Sequence, residues 1–149
     1  MKTLFVLSLL FLVASAKIYD RCVLARQLKA AGLDGFRGYS LPNWICVVQH
    51  ESSYNTRAIN ENRRQGRVVS TDYGLFQINS RYWCDDGRTP GTSNTCRINC
   101  SAFLNDDITD DIRCVKRVVS DPNGMAAWYG WRDHCRGRNL QSYVQGCNV

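Results

Sequence analysis

Residues 42–79 read PNWICVVQHESSYNTRAINENRRQGRVVSTDYGLFQIN, and the change of texture inside this stretch sets the fold class. Up to Ser52 it is an apolar helix, with Pro42 near the first turn, where a missing N–H costs nothing. From Tyr54 onward Asn, Thr, Arg and Gly take over, broken by short β-branched runs. Val68-Val69 and Leu75-Phe76-Gln77-Ile78 read as short strands with turn residues between them.

Helical patterning lies on both sides. Toward the N-terminus, CVLARQLKAA (residues 22–31) carries apolar side chains at 23, 24, 28 and 31 and is stopped by Gly32. Toward the C-terminus, Ile108, Ile112, Val115, Val118 and Val119 repeat at helical spacing. Asp106, Asp107, Asp110 and Asp111 stand at the start of that helix and Lys116 and Arg117 near its end, as the helix dipole favours. A further short helix is predicted over MAAWYGWRDHC, residues 125–135. Residues 81–99 form a turn-rich loop containing Cys84 and Cys96. Helices, then a small sheet, then helices predict an α+β fold. Its helical lobe takes residues of about 17–55 and 101–149, its antiparallel β lobe about 56–100, and a cleft runs between them.

The front end, MKTLFVLSLLFLVASA, has a basic Lys2, an apolar run from Leu4 to Val13 and an Ala14-Ser15-Ala16 cleavage pattern. Residues 1–16 therefore read as a secretory signal peptide, and 17–149 as the mature, extracellular chain. The 149 residues include 19 Lys and Arg against 13 Asp and Glu, a formal charge of +6, which loss of Lys2 reduces to +5. A 44% hydrophobic composition excludes wholesale disorder, and no apolar run of about eighteen residues is present to span a membrane. All eight cysteines lie after residue 16 and none form C-x-x-C, which disfavours zinc and redox motifs and favours four bridges. From number alone 105 connectivities remain open.

Two acids stand out. Glu51 closes the apolar helix, where partial desolvation disfavours its charged form. Asp72 lies in the polar segment Ser70-Thr71-Asp72-Tyr73-Gly74. Taken singly, each has an ordinary account, a solvated acid at a helix end and a turn aspartate bonding its own backbone. Taken together, environments this different push paired carboxylates toward opposite protonation states. That is what glycosidic cleavage requires: a neutral acid for the leaving oxygen and an anion facing the sugar carbon.

Over residues 17–149 the chain resembles the c-type lysozymes. The resemblance is carried by GLDGFRGYSLPNW (32–44), HESSYNTRA (50–58), STDYGLFQINSRYWCDDGRTPG (70–91), DPNGMAAWYGW (121–131) and the eight cysteines. It implies bridges Cys22–Cys147, Cys46–Cys135, Cys84–Cys100 and Cys96–Cys114. It also implies Glu51 as general acid and Asp72 as second carboxylate, acting on peptidoglycan between N-acetylmuramic acid and N-acetylglucosamine with retention. Asn60, Asn62, Gln77, Asn79, Tyr82, Trp83, Asp121, Ala127 and Trp128 would line the sugar groove, amides meeting hydroxyl and acetamido groups and aromatic faces covering pyranose rings. Trp128 would also wall off Glu51. No cofactor is implied for catalysis, nor a nucleic-acid or membrane partner, and the expected state is a monomer.

Two stretches depart from the usual family pattern. Residues 62–69, NRRQGRVV, make the hairpin loop before Ser70 longer and add three arginines, which predicts altered rather than lost turnover. NDDITDD, residues 105–111, resembles the calcium loop of α-lactalbumin and the calcium-binding lysozymes. The matching ligands are the side chains of Asn105, Asp110 and Asp111 and the carbonyls of Ala102 and Asp107, with Asn105 where an Asp is usual. Acids decorating a helix start account for the same cluster without a metal. Two other functions stay in view: a non-catalytic α-lactalbumin-like binding protein, and a cationic antimicrobial that disrupts envelopes. The presence of both acids argues against the first.

Overall fold

The computed structural model describes residues 17–149; the signal-peptide reading of residues 1–16 lies outside them. Among the described residues, four α-helices, a three-stranded sheet and three short 3-10 helices follow in the predicted order. Helix α1 (Arg21–Ala30) begins at Asp20, whose carboxylate accepts from the backbone N–H of Cys22 and Val23, satisfying two otherwise orphaned donors. Helix α2 (Leu41–Ser52) has Pro42 in its first turn and buries Leu41, Pro42 and everything from Trp44 to Val48. Its centre is Trp44, fully buried and edge-on to Tyr39, Phe76 and Trp128. Ser53, in the left-handed region at φ 51°, ends α2 two residues after Glu51.

Helix α3 (Thr109–Val118) presents Ile112, Cys114, Val115 and Val118 to the same core. Lys116 Nζ donates to the Ala31 carbonyl at 2.7 Å, tying α3 to the end of α1. The sheet is antiparallel in the order β1 (Ile59–Arg64), β2 (Arg67–Tyr73), β3 (Ile78–Asn79).

Three features differ from the sequence reading. The segment expected to be a long loop is paired strand: β1 and β2 run out to Arg64 and Arg67, joined only by Gln65-Gly66. Both turn residues have positive φ, 51° and 76°, the geometry of a tight hairpin matched to strand twist. A bulge in β2 absorbs Val69 between the Asn62–Ser70 and Arg63–Val68 pairs. Secondly, Leu75 and Phe76 are buried core residues in a turn rather than strand residues, and β3 is reduced to Ile78-Asn79. Burial rather than sheet pairing explains their hydrophobicity. Thirdly, the last predicted helix is broken. A 3-10 helix (Gly124–Ala127) and α4 (Tyr129–His134) meet at Trp128, whose backbone is extended.

Four disulfides join Cys22 to Cys147, Cys46 to Cys135, Cys84 to Cys100 and Cys96 to Cys114, the pairing implied by the resemblance. Cys46–Cys135 fastens α2 to the end of α4. Cys84–Cys100 and Cys96–Cys114 pin the long loop, the second of them to α3. The Cys22–Cys147 bridge closes the longest loop, and such bridges contribute about 2–4 kcal/mol each, chiefly by restricting the unfolded chain.

Candidate active site

Glu51 occupies the last turn of α2, half-buried because the same helix buries its preceding apolar face. The break at Trp128 supplies its partner: Gly130, early in α4, donates its backbone N–H to Glu51 Oε1 at 3.0 Å. A Cβ at position 130 would stand 2.6 Å from that oxygen, so only glycine leaves the carboxyl its place. Burial pushes the Glu51 carboxyl above its ordinary value; the Gly130 N–H opposes this and the Asp72 charge adds to it. Asp72 is thus close enough to act on Glu51.

Asp72 lies on β2 and is held from both sides of the sheet. Asn62 Nδ2, on β1, donates to Oδ2 at 3.0 Å, and Asn79 Nδ2, on β3, donates to Oδ1 at 2.8 Å. Both amides also donate to the Ser70 hydroxyl, which braces the set. Burial raises the Asp72 carboxyl too, while the two amide bonds lower it by favouring its charged form. The environments therefore do not push the acids in opposite directions. Burial lifts both, and Asp72 has two amide donors opposing that lift where Glu51 has one backbone N–H.

The residues expected to line a sugar groove divide into two groups. Tyr82, Asn60 and Ala127 are exposed, and Asn62, Trp83 and Asp121 are half-buried, with Asp121 paired to Arg117 at 2.6 Å. Gln77 and Asn79 instead spend their side chains inside. Gln77 Nε2 donates to the Ala58 and Gly74 carbonyls and its Oε1 accepts from Asn60 Nδ2. Asn79 holds Asp72 and Ser70 and accepts from the Arg81 N–H. Both are supports for the site rather than free hydrogen-bonding groups. Trp128 is 6% exposed and its indole N–H is committed to the Phe76 carbonyl at 2.7 Å. Trp131 bonds Asn43 and is half-buried. His50 turns aside, stacked on His134 at 4.1 Å between ring centroids and bonded to the Tyr143 hydroxyl.

The sequence reading missed Gly130 and Ser70. A glycine inside a predicted helix costs about 1 kcal/mol relative to alanine, and that was the available signal for the first. Nothing local marked the second.

In the acidic loop, Asn105 Oδ1 accepts from the Asp107 N–H, Asp107 Oδ1 from the Thr109 N–H, and Asp110 pairs with Arg113 at 3.1 Å. Among the described residues no three His, Cys, Asp or Glu are gathered as a metal group. Asp111 is the exception to this satisfied pattern. It is fully buried, neither carboxylate oxygen has a hydrogen-bond partner, and burial together with the Asp110 and Asp107 charges pushes it up to about 8.

The family model of the C-type lysozyme/alpha-lactalbumin family matches residues 17–147. The chain belongs to that family. It is 62% identical to lysozyme C II of Oncorhynchus mykiss over 144 residues, covering 97% of each chain. It is 58% identical to lysozyme C-1 of Mus musculus and 57% identical to the milk isozyme of lysozyme C of Bos taurus, both over the full length of each chain. As a lysozyme-family member of this closeness, it is an enzyme, a glycoside hydrolase. No helix among the described residues is long and apolar enough to cross a membrane.

Proposed function

We propose that the mature chain, residues 17–149, is a secreted, monomeric, bacteriolytic hydrolase. It cuts the β-1,4 bond between N-acetylmuramic acid and N-acetylglucosamine in peptidoglycan, with Glu51 and Asp72 as its catalytic pair. Lysozyme is the type case of this carboxylate chemistry. In this chain Glu51, kept protonated by its burial, gives its proton to the bridging oxygen as the bond to the anomeric carbon breaks. Asp72, held ionised by Asn62 and Asn79, attacks or stabilises the sugar cation from the other face. Glu51, now a base, takes a proton from water as that water displaces Asp72, so configuration is retained and both acids return to their starting states. Asn60, Asn62, Tyr82, Trp83, Asp121, Ala127 and Trp128 line the groove, with residues 17–55 and 101–149 on one side and 56–100 on the other.

The observation that carries this reading is the asymmetric hydrogen bonding of the two carboxyls, Glu51 to one backbone N–H of Gly130 and Asp72 to two amides. Its test is turbidity loss of Gram-positive cell walls across pH, with Glu51→Gln as control. Clearing should fall about 10²-fold or more in that variant while it stays folded. Killing retained in full by the variant would transfer the function to envelope disruption.

Catalysis needs no metal. A structural calcium ion fits the orphaned Asp111 carboxyl, whose burial without a partner otherwise disfavours its charged form. Asp110 and Asp111, the Asn105 amide oxygen and the carbonyls of Ala102 and Asp107 would hold it, and it would supply the missing positive charge between the loop and α3.

A further inference from the structure

The β1–β2 hairpin carries an arginine pair that the catalytic account does not use. Asn62 turns its amide toward Asp72 and Ser70, which fixes the catalytic face of β1. Alternation along the unbulged β1 strand puts Arg64 on that same face, about 7 Å farther out. Arg67 pairs directly with Arg64 across the two-residue turn. Side chains of such opposite residues start about 5 Å apart, and like charges placed this way repel. Both arginines are exposed, and neither has an ion pair or a hydrogen-bond acceptor among the described residues. Their neighbour Arg63, on the opposite face, is neutralised by Glu61 at 2.6 Å. The hairpin thus balances one arginine and leaves two, adjacent and in line with the Asn60–Asn62 face.

We propose that Arg64 and Arg67 form an anion-binding subsite for the free carboxylates of peptide stems carried by the substrate, on the muramic acid residue beyond the leaving sugar. This rests on the peptidoglycan reading above. In an alternating polymer the sugar after the leaving N-acetylglucosamine is again a muramic acid, whose lactyl group bears the peptide. With the hairpin end of the Asn60–Asn62 face taken as the leaving-group side, the stem carboxylates stand opposite Arg64 and Arg67. Two guanidinium forks meet planar carboxylates in bidentate fashion, and an anion between them relieves their mutual repulsion.

The test measures binding of two soluble glycan strands, one with peptide stems and one with the stems enzymatically removed and the lactyl carboxylates so exposed capped as amides. The proteins are the Glu51→Gln chain and the same chain with Arg64→Ala and Arg67→Ala, so that no strand is cut during titration. The parent should bind the stem-bearing strand about fivefold tighter, a preference that weakens with salt and falls below about twofold in the arginine variant. A parent without preference, or a preference that survives loss of both arginines, overturns the proposal. So does an isolated phosphodiester wall polymer that displaces the stem-bearing strand more effectively than free stem peptide does. Cleavage of the same strands by the wild-type chain tests the hydrolase reading separately, since the binding comparison does not depend on turnover.

Discussion

Gly130 and Glu51 are fitted to one another: the glycine's N–H bonds Oε1 at 3.0 Å, and a single methyl at its Cα would intrude to 2.6 Å from the same oxygen. Gly130 does not have positive φ, so its backbone accepts alanine without strain. Gly130→Ala should therefore displace the carboxyl rather than unfold α4. Activity on cell walls should drop about 10²-fold, the usual consequence of misplacing a reacting group by an ångström. The melting temperature should change little, and measuring both on one sample separates a site effect from a folding effect.

Asn79 donates to Asp72 in its charged form, so its removal makes that form harder to reach. In Asn79→Ala the Asp72 carboxyl rises further, and the acid limb of the pH–rate profile moves to higher pH. Asn62→Ala should act in the same direction. An unmoved acid limb in both variants would mean that the amides do not set the charge of Asp72.

Burial raises the Glu51 carboxyl in the folded state, so the native protein binds this proton more tightly than the unfolded chain does. This group therefore costs stability progressively as pH rises from its unfolded value through its folded value. Glu51→Gln keeps an acceptor for Gly130 and removes that cost. The variant should melt higher than the parent near pH 7, with the difference vanishing toward pH 4. Thermal denaturation at the two pH values checks both the sign and its disappearance.

Calcium should raise the melting temperature of the wild-type chain over chelator, since an ion bound only by the native state stabilises it by mass action. Asp111→Asn should abolish that increment. Equal melting temperatures with saturating calcium and with chelator would leave the loop as a plain acidic helix start.

Much of this architecture was legible because its signals are local. Gly32 as a helix stop, Pro42 in a first turn, and the spacing of Ile112, Val115 and Val118 each act within one or two turns of helix. Glu51 stands out for the same reason, three residues after the apolar run Trp44 to Val48 on one helix. What was not legible depends on residues distant along the chain. Strand β1 is mostly polar and exists because β2 pairs with it, so its extension to Arg64 passed for a loop. The helix break at Trp128 follows from an indole reaching a carbonyl 52 residues away. Nothing in the sequence around Gln77 marks that its amide bonds Ala58, Gly74 and Asn60, all distant from it or across a turn. Asp72 sits in polar sequence, yet folding buries it enough to raise it alongside Glu51.

The central claim is an order of protonation, with Glu51 holding its proton at a pH where Asp72 has lost its own. Carboxyl-carbon NMR on protein labelled at Glu and Asp side chains reads both groups directly, as the apparent titration steps of a coupled pair. The account predicts that both titrate above ordinary exposed carboxyls and that Glu51 follows Asp72 on raising the pH. Simultaneous loss of both protons in the natively folded chain, or Glu51 ionising first, would contradict it.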